Sequence, residues 1–325
     1  MRILNLFNFN RYKNHPEAII ISCFFNPQNS VYRKKGFDIF YESIKHLNHQ
    51  IIECIIGDTK PNLPENKNIK RVYTKNLLWH KETLLNKIIS KLPKKYKYIF
   101  WIDADVLFTN VNWLVDAVET LQTNKICQPF EYCVHLKQDE LQPDFDIDQF
   151  KKFVFNTRKE GRHEQLWRSY CSNVEIGFSE NINYDVHGHV GFAWGARREV
   201  LEACPLYDKA LIGGADHIIA HACMSPIVHN CIKKTFTDNI EEVEEWTRRF
   251  YNVVQGKVGY VRNNVLYHIW HGDLEKRNYY NRIKDFTKKS KQIVERDENG
   301  MYITNHEDDA YMINYFKQRE VCQHV

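Results

Sequence analysis

The chain has 325 residues, 43% of them hydrophobic and 14% aromatic, so it is long and apolar enough to bury a globular core and is not intrinsically disordered. Its net charge of +4 is not that of a dedicated nucleic-acid binder, which usually shows a concentrated basic stripe, but it is compatible with an anionic substrate. Nine scattered cysteines without a CxxC pair argue against a disulfide framework or a zinc ribbon and predict reduced thiols in the core.

Strand and helix signals alternate along the chain, which is typical of an α/β fold. In chain order, we predict strands at 18–25, 51–56, 70–74, 98–106, 190–194 and 265–270, and helices at 32–47, 77–92, 147–154, 198–203, 218–224 and 307–316. The early strands are continuously apolar rather than alternating, so both of their faces are expected to be buried. The sequence therefore predicts a mostly parallel central sheet flanked by helices.

The segment 130–187 departs from this alternation, because it is polar, rich in aromatic residues and irregular. We interpret it as a loop-rich insertion or lid over the site. Without an internal repeat or a low-complexity linker, the chain indicates one domain over 1–325, with residues 285–325 as a C-terminal extension packed on it. The N-terminus has no cleavable signal pattern, and no apolar run reaches the roughly 18 residues of a membrane helix. We therefore expect a cytoplasmic protein without stable membrane insertion.

Polar residues follow three of the predicted strands, at 26–29, at Asp58 and at the triplet Asp103-Ala104-Asp105. Because ligands bind beyond the carboxyl ends of the strands in such sheets, we expect these loops to converge on one edge. Two carboxylates two residues apart at the end of a buried strand can bind the same hard divalent cation. The alternative is an ordinary turn rich in aspartate, although carboxylates next to an apolar strand are costly to bury unless they are paired or bind metal.

Two later segments also carry polar residues beside glycine. In Gly213-Gly214-Ala215-Asp216, the paired glycines permit positive φ and close backbone approach, and Asp216 precedes an apparent helix as a plain N-cap or as a general base. In the last predicted strand, alternation places His268 and Trp270 on one face and His271 near the end, where loops gather. A histidine in such a place is either a structural residue or a ligand.

The segment 77–113, LLWHKETLLNKIISKLPKKYKYIFWIDADVLFTNVNW, resembles the heart of a GT-A type glycosyltransferase, whose hallmark is an apolar strand that ends in a D-x-D triplet. The resemblance implies a GT-A (Rossmann-like) α/β fold, with a Mn²⁺ or Mg²⁺ ion on Asp103 and Asp105 that clamps the diphosphate of a nucleotide-sugar donor. The other donor-binding residues that it implies are Phe25, Asn26, Asp58, Lys81, Ala104, Gly213 and Gly214.

The resemblance further implies that Asp216 is the general base of an inverting transfer and that a C-terminal histidine completes the metal shell. We favour His271 for that ligand, with His268 as the alternative. Arg277 is the preferred arginine for pairing with phosphate, against the alternative of a solvated helical face. His187 and His189 are either site or surface residues, and Trp194 either stacks on a sugar or packs in the core.

We therefore predict a metal-dependent glycosyltransferase that uses a nucleotide-diphosphate sugar, with UDP-sugars favoured, and an acceptor hydroxyl on a glycan, a protein or a hydroxylated nucleobase. An inverting mechanism is favoured over a retaining one. One alternative is a sugar nucleotidyltransferase, but such enzymes usually carry a glycine-rich basic loop after the first strand, and FFNPQNSVYRKK has no such glycines. The other is a non-catalytic nucleotide-sugar-binding protein, against which the joint presence of Asp103, Asp105, Asp216 and His271 argues.

Overall fold

The structure, a computed structural model, describes residues 12–151, 163–174, 187–236, 240–272, 282–283, 295–303 and 306–320. Its strands are β1 (Ala18–Phe25), β2 (His49–Ile56), β3 (Ile69–Thr74), β4 (Tyr98–Ile102), β5 (Val106–Phe108), β6 (Ile126–Gln128), β7 (Tyr132–His135), β8 (Leu166–Arg168), β9 (Ala193–Arg197), β10 (Val258–Tyr260) and β11 (Val265–His268). Its helices are α1 (Val31–Ile44), α2 (Lys81–Ile89), α3 (Trp113–Thr123), α4 (Ile147–Phe150), α5 (Tyr170–Val174), α6 (Arg198–Ala203), α7 (Ala215–Ala222), α8 (Asn230–Lys233), α9 (Ile240–Val254) and α10 (His306–Glu320).

A seven-stranded sheet forms the centre of the fold, with the strand order β10-β6-β9-β4-β1-β2-β3. β1 pairs in parallel with β2 and β4, β2 pairs in parallel with β3, and β6 pairs in parallel with β10. β9 runs antiparallel between β4 and β6. The predicted α/β fold with a mostly parallel central sheet is therefore confirmed. The strand order changes direction at β1 and β4, so a crevice opens between the carboxyl ends of these two strands.

Alternate side chains of the central strands enter two separate hydrophobic cores. Ile19 and Ile21 of β1 pack on one face of the sheet with residues of α2, α6, α7 and α9. Ile20 packs on the other face with residues of α1, α3 and the second sheet. Because each of these side chains is at most 4% exposed, apolar residues are needed on both faces of the strand. This burial on both faces is the physical cause of the continuous hydrophobicity in the sequence.

Several predicted elements have different bounds in the structure. The helix predicted at 77–92 begins only at Lys81. The backbone before Lys81 forms a hydrogen bond outside the helix, because the Trp79 N–H donates to the Leu211 carbonyl at 2.6 Å. The strand predicted at 190–194 begins only after Phe192, whose φ of 77° interrupts an extended chain. The strand predicted at 98–106 ends at Ile102. Elements that were not predicted are the helices α3, α5, α8 and α9 and the strands β5, β6, β7, β8 and β10.

The chain leaves the central sheet after Ile102 and joins a second sheet with the strand order β5-β11-β7-β8. β11 lies between antiparallel β5 and parallel β7. Just beyond β11, the Ile269 N–H donates to the Asp105 carbonyl at 2.8 Å. The last predicted strand is therefore held directly against the acidic triplet.

Part of the segment 130–187 belongs to this second sheet, since it contributes β7 and β8. It is therefore not irregular throughout, because its backbone groups pair with β11 and with each other. The helix predicted at 147–154 is present as the short α4, and residues 152–162 and 175–186 lie outside the described residues. The role of this segment as a lid stays a prediction.

Two findings bear on the expected location and redox state. Among the described residues, no helix combines the length and the apolarity that crossing a membrane requires. No disulfide joins the eight cysteines that the structure describes, and six of these eight are buried. The thiols thus pack as small core side chains, as the sequence predicted.

Gly195 in β9 lies directly opposite Phe100 of β4 in the antiparallel pair. A Cβ atom at Gly195 would come within 2.2 Å of Cε1 in the Phe100 ring. The ring is fully buried and packs edge-on against Trp113, with 6.0 Å between the ring centroids, so it has little room to move. We expect Gly195→Ala to lower the free energy of unfolding by about 1 to 3 kcal/mol, the usual effect of overpacking, as measured by urea denaturation.

The matched control is Gly36→Ala in α1. A Cβ atom at Gly36 would meet its nearest neighbour at 3.4 Å, an ordinary contact, and alanine is favoured over glycine inside a helix by up to about 1 kcal/mol. This variant is expected to be at least as stable as the wild type. Equal stability of Gly195→Ala and the wild type would contradict the close packing of β9 on Phe100.

Candidate active site

A cavity of about 180 Å³ opens at the carboxyl ends of β1 and β4, where the strand order changes direction. A buried water requires about 10 to 15 Å³ of such space, so the cavity has room for ligand atoms as well as an ion. The residues that line it include Phe25, Arg33, Trp79, Lys81, Glu82, Asp103, Ala104, Asp105, Gly213, Gly214, Asp216, His268, His271 and Arg282. Residues from both halves of the chain thus meet at one edge of the sheet.

Asp105, His268 and His271 form a group that can hold a metal ion, because one ligand atom from each lies within 4.8 Å of the other two. The Asp105 carboxylate is 3.1 Å from His271 Nε2 and 3.8 Å from His268 Nε2. The backbone bond from Ile269 to Asp105 explains the proximity, since it fixes the end of β11 beside the triplet. Both histidines therefore face the same carboxylate, and His271 is the nearer of the two.

Asp103 points to a different partner. Its carboxylate lies 2.8 Å from Lys81 Nζ, which also lies 3.0 Å from the carboxylate of Asp216. Burial would lower the pKa of Lys81, but Asp103, Asp216 and Glu82 together raise it well above its usual value. Burial also raises the pKa of Asp103 to about 6, against the opposing charge of Lys81. Lys81 is thus a charged group held between two carboxylates at the cavity wall.

Glu82 adds a further acidic group beneath Lys81. Its side chain is almost fully buried, and burial raises the pKa of Glu82 to about 8 against the opposing charge of Lys81. Nothing in the local sequence distinguishes this glutamate from an ordinary residue in the first turn of a helix, and it was not predicted as part of the site. Only its position among the residues that line the cavity identifies it.

The two glycines before α7 have the backbone that the sequence suggested. Gly213 and Gly214 have φ values of 91° and 98°, and Gly214 is the N-cap of the helix. A Cβ atom at Gly214 would lie 2.9 Å from Ile283 and 3.0 Å from Phe236. Asp216 is therefore not the N-cap but lies inside the first turn, where its carboxylate reaches Lys81. The N-cap interpretation of Asp216 is wrong, because the glycine already occupies that position.

Aromatic residues and one arginine form the rim of the cavity. Trp79 stacks on Phe316 of α10 with 5.7 Å between ring centroids, and Phe25 meets the Phe316 ring edge-on at the same distance. The buried Arg282 lies over the Trp79 ring at 4.7 Å and donates a hydrogen bond to Tyr315 of α10. The last helix thus packs against the residues that border the cavity.

Two of the predicted binding residues that the structure describes, Asn26 and Asp58, are not among those that line the cavity. Asn26 is buried and holds its own turn, because its side chain accepts from the Ser30 N–H at 2.9 Å and donates to Asn62. Asp58 follows β2 but is exposed. Arg277 lies outside the described residues. Arg282, which was not among the predicted binding residues, lines the cavity.

The structure places His187 and Trp194 inside the protein and leaves His189 partly exposed. Trp194 is fully buried and stacks on Trp101 at 6.4 Å, so it packs in the core. His189 is partly exposed and stacks on Phe192 at 3.9 Å, close to the cavity. His187 is 2% exposed and belongs to a separate group with His217. His187 is therefore not a surface residue.

No known protein family and no curated protein matches the sequence. Among solved structures, a mannosyltransferase from Pyrobaculum calidifontis in complex with GDP-Man and Mn²⁺ is 11% identical, with a TM-score of 0.40 over 95% of this chain and 71% of that one. Glucosyl-3-phosphoglycerate synthase from Mycobacterium tuberculosis, in complex with Mn²⁺, UDP and glucosyl-3-phosphoglycerate, is 11% identical, with a TM-score of 0.39 over 84% of this chain and 78% of that one.

A third solved structure is 4-diphosphocytidyl-2C-methyl-D-erythritol synthase from Anaerococcus prevotii, which is 11% identical. It matches over 95% of this chain and 98% of its own, with a TM-score of 0.33. Glycosyltransferases are thus among the structures that the fold resembles, but TM-scores below 0.5 do not decide the function of this chain.

Proposed function

We propose that the chain is a metal-dependent glycosyltransferase that moves a sugar from a nucleotide-diphosphate sugar, with UDP-sugars as the favoured donors, to an acceptor hydroxyl. The observation that carries the proposal is the convergence of Asp105, His268 and His271 on one point of the cavity wall. Lys81, Asp103 and Asp216 border the same cavity. A metal ion and a lysine can stabilise a diphosphate leaving group. A further carboxylate can accept the proton of a hydroxyl nucleophile.

The ligand types favour Mn²⁺ over Mg²⁺ at this group. Mg²⁺ prefers an octahedron of oxygen ligands, whereas Asp105 is joined here by two imidazoles. The ion would supply Lewis-acid stabilisation of the departing diphosphate. Asp103, although it belongs to the triplet, is engaged with Lys81 at 2.8 Å, so we propose that it orients the lysine as well as contributing to the metal environment.

We assign the general base to Asp216, which implies an inverting transfer. Its carboxylate is 22% exposed, lines the cavity and lies at the N-terminus of α7, where the helix dipole stabilises the anion. In this role it accepts the proton of the acceptor hydroxyl as that oxygen attacks the anomeric carbon. Lys81 carries the positive charge that pairs with the diphosphate, and Phe25 and Trp79 offer apolar faces at the rim.

The decisive experiment incubates the purified protein with a panel of nucleotide sugars and follows slow hydrolysis of each donor with water as acceptor. The panel is repeated with Mn²⁺, Mg²⁺ and Fe²⁺, since two imidazoles and one carboxylate also hold iron, and again with a chelator. We expect Mn²⁺-dependent hydrolysis of a UDP-sugar that the chelator abolishes. Failure of every donor to bind or react with any metal would contradict the proposal.

The same experiment separates the alternatives. A sugar nucleotidyltransferase would instead release pyrophosphate from a nucleoside triphosphate and a sugar 1-phosphate. A non-catalytic protein would bind a donor in the presence of metal without hydrolysing it. If hydrolysis occurs, the anomeric configuration of the first-formed sugar, read by NMR, distinguishes inversion from retention.

A further inference from the structure

A second group of metal-ligand side chains lies apart from the cavity, and two of its members belong to α7. It consists of His187, His217, His221 and Cys231, each of which offers a ligand atom within 4.8 Å of the others. The three histidines are at most 6% exposed, and Cys231 is partly buried. None of the four residues lines the cavity of the candidate active site. We propose that this group binds one structural zinc ion.

The four residues come from three separate parts of the fold. His217 and His221 lie one turn apart on α7, so both imidazoles project from the same face of that helix. His187 precedes β9, and Cys231 lies in the short helix α8. The group contains no pair of oppositely charged side chains, so an ion-pair network does not explain why these residues lie together. Three imidazoles and a thiol that converge in this way are typical of a metal site.

The spacing of the ligand atoms fits a tetrahedral ion. With Zn–S near 2.3 Å and Zn–N near 2.0 Å, a tetrahedral angle places sulfur and nitrogen about 3.5 Å apart. Cys231 Sγ lies 3.7 Å from His221 Nε2. The rings of His187 and His217 are tilted by 38°, and those of His217 and His221 by 73°, so the imidazoles do not form a parallel stack. Their geometry instead brings ring edges together around a common point.

Hydrogen bonds at the opposite ring nitrogens orient two of these histidines. His187 Nδ1 is 2.8 Å from the Gly188 carbonyl, so it carries the proton and leaves Nε2 as the lone-pair donor. His221 Nδ1 is 2.6 Å from Nδ1 of His229, so the His221 ring can donate there while its Nε2 faces Cys231. Zinc-binding histidines commonly have their second nitrogen fixed in this way.

Three imidazoles and one thiolate occupy all four positions of a tetrahedral zinc ion and leave none open for substrate. The ion therefore has a structural role, joining α7 to the segment before β9 and to α8. Asp216 directly precedes His217, so the ion also fixes the start of the helix that carries the proposed base. The zinc site does not depend on the proposed transferase activity.

The test uses the full-length protein, purified without a histidine tag, and measures zinc by mass spectrometry after dialysis. We expect one zinc ion per chain, and a near-ultraviolet thiolate-to-cobalt charge-transfer band when Co²⁺ replaces it. Cys231→Ser should lose the band and most of the zinc, whereas Cys204→Ser, a change at a buried cysteine outside the group, should keep both. A strong chelator is expected to lower the Tm of the wild type but not that of Cys231→Ser.

Asp105→Asn separates the two metal sites, because it changes only the group in the cavity and should retain the zinc. Loss of the zinc in Asp105→Asn would assign the ion to the cavity and overturn the proposal. A wild-type protein that contains no zinc and gives no charge-transfer band with Co²⁺ would also overturn it, whether or not Cys231→Ser folds. Zinc content and the charge-transfer band are measured independently of donor hydrolysis. The zinc site and the transferase activity can therefore be contradicted separately.

Discussion

Replacing Asp105 by asparagine is expected to lower the rate of Mn²⁺-dependent donor hydrolysis by at least about a hundredfold. The carboxylate is the only anionic member of the group with His268 and His271, so its removal deprives the cation of its charge-neutralising ligand. The substitution keeps the backbone carbonyl that accepts from Ile269, and it therefore leaves β11 in place. The rate is measured as a function of Mn²⁺ concentration, and the half-saturating concentration is expected to rise.

The matched control for this variant is Asp38→Asn, which removes an exposed carboxylate of α1 that pairs only with Lys34 among the described residues. It should retain both the rate and the Mn²⁺ dependence of the wild type. His271→Asn should weaken Mn²⁺ more than His268→Asn, since His271 lies closer to the carboxylate, at 3.1 Å against 3.8 Å. If Asp105→Asn kept both the wild-type rate and the wild-type Mn²⁺ requirement, the proposal that this group binds the catalytic metal ion would be contradicted.

The second large effect is expected for Asp216→Asn, which should bind the donor as the wild type does but hydrolyse it about 10² to 10⁴ times more slowly. The amide has nearly the shape of the carboxylate but cannot accept the proton of water or of an acceptor hydroxyl. Lys81 keeps its contact with Asp103, so the cavity wall should remain ordered. Donor affinity from calorimetry and the rate of hydrolysis, measured on the same preparation, separate binding from chemistry.

Stability is a necessary control here, because a carboxylate in the first turn of a helix also stabilises the helix by about 0.3 to 1 kcal/mol. Glu199→Gln provides the comparison, since Glu199 is an exposed acid in the first turn of α6 and does not line the cavity. Both variants should lose a similar, small amount of stability, but only Asp216→Asn should lose activity. If Asp216→Asn hydrolysed the donor at the wild-type rate, the general-base role of Asp216 would be contradicted. Its carboxylate would then serve only to pair with Lys81.

Much of the fold was predictable because the signals that specify it are local. The apolar run of β1 and the helical spacing of Phe37, Phe40 and Ile44 in α1 mark these elements, since burial on two faces or on one face leaves a distinct period in the sequence. α9 carries Val243, Phe250 and Val254 at the same helical spacing, so it was predictable from this signal although it was not predicted.

Element boundaries were less predictable, because they depend on contacts with distant residues. β4 ends at Ile102 rather than at Val106, since the chain there passes from one sheet to another. That passage depends on pairing between β5 and β11, whose partners lie about 160 residues apart, such as Phe108 and Leu266. No pattern within 98–106 records it.

For the site, the sequence by itself determined which side chains were chemically suited to it. The acidic triplet after an apolar strand, the paired glycines and the two histidines at 268 and 271 were all identifiable from residue type and local order. Tertiary structure alone decided how they combine. Asp105 meets the histidines and Asp103 meets Lys81, although the two aspartates are two residues apart.

The physical reason is that a side-chain contact depends on where strands and helices end in space, whereas local periodicity reports only which faces are buried. Lys81 reaches Asp216 across 135 positions of sequence because α2 and α7 both begin at the same edge of the sheet. The grouping of His187 with His217 arises in the same way. The sequence thus determined the layers and the candidate chemistry, and the packing of the chain decided which groups share a site.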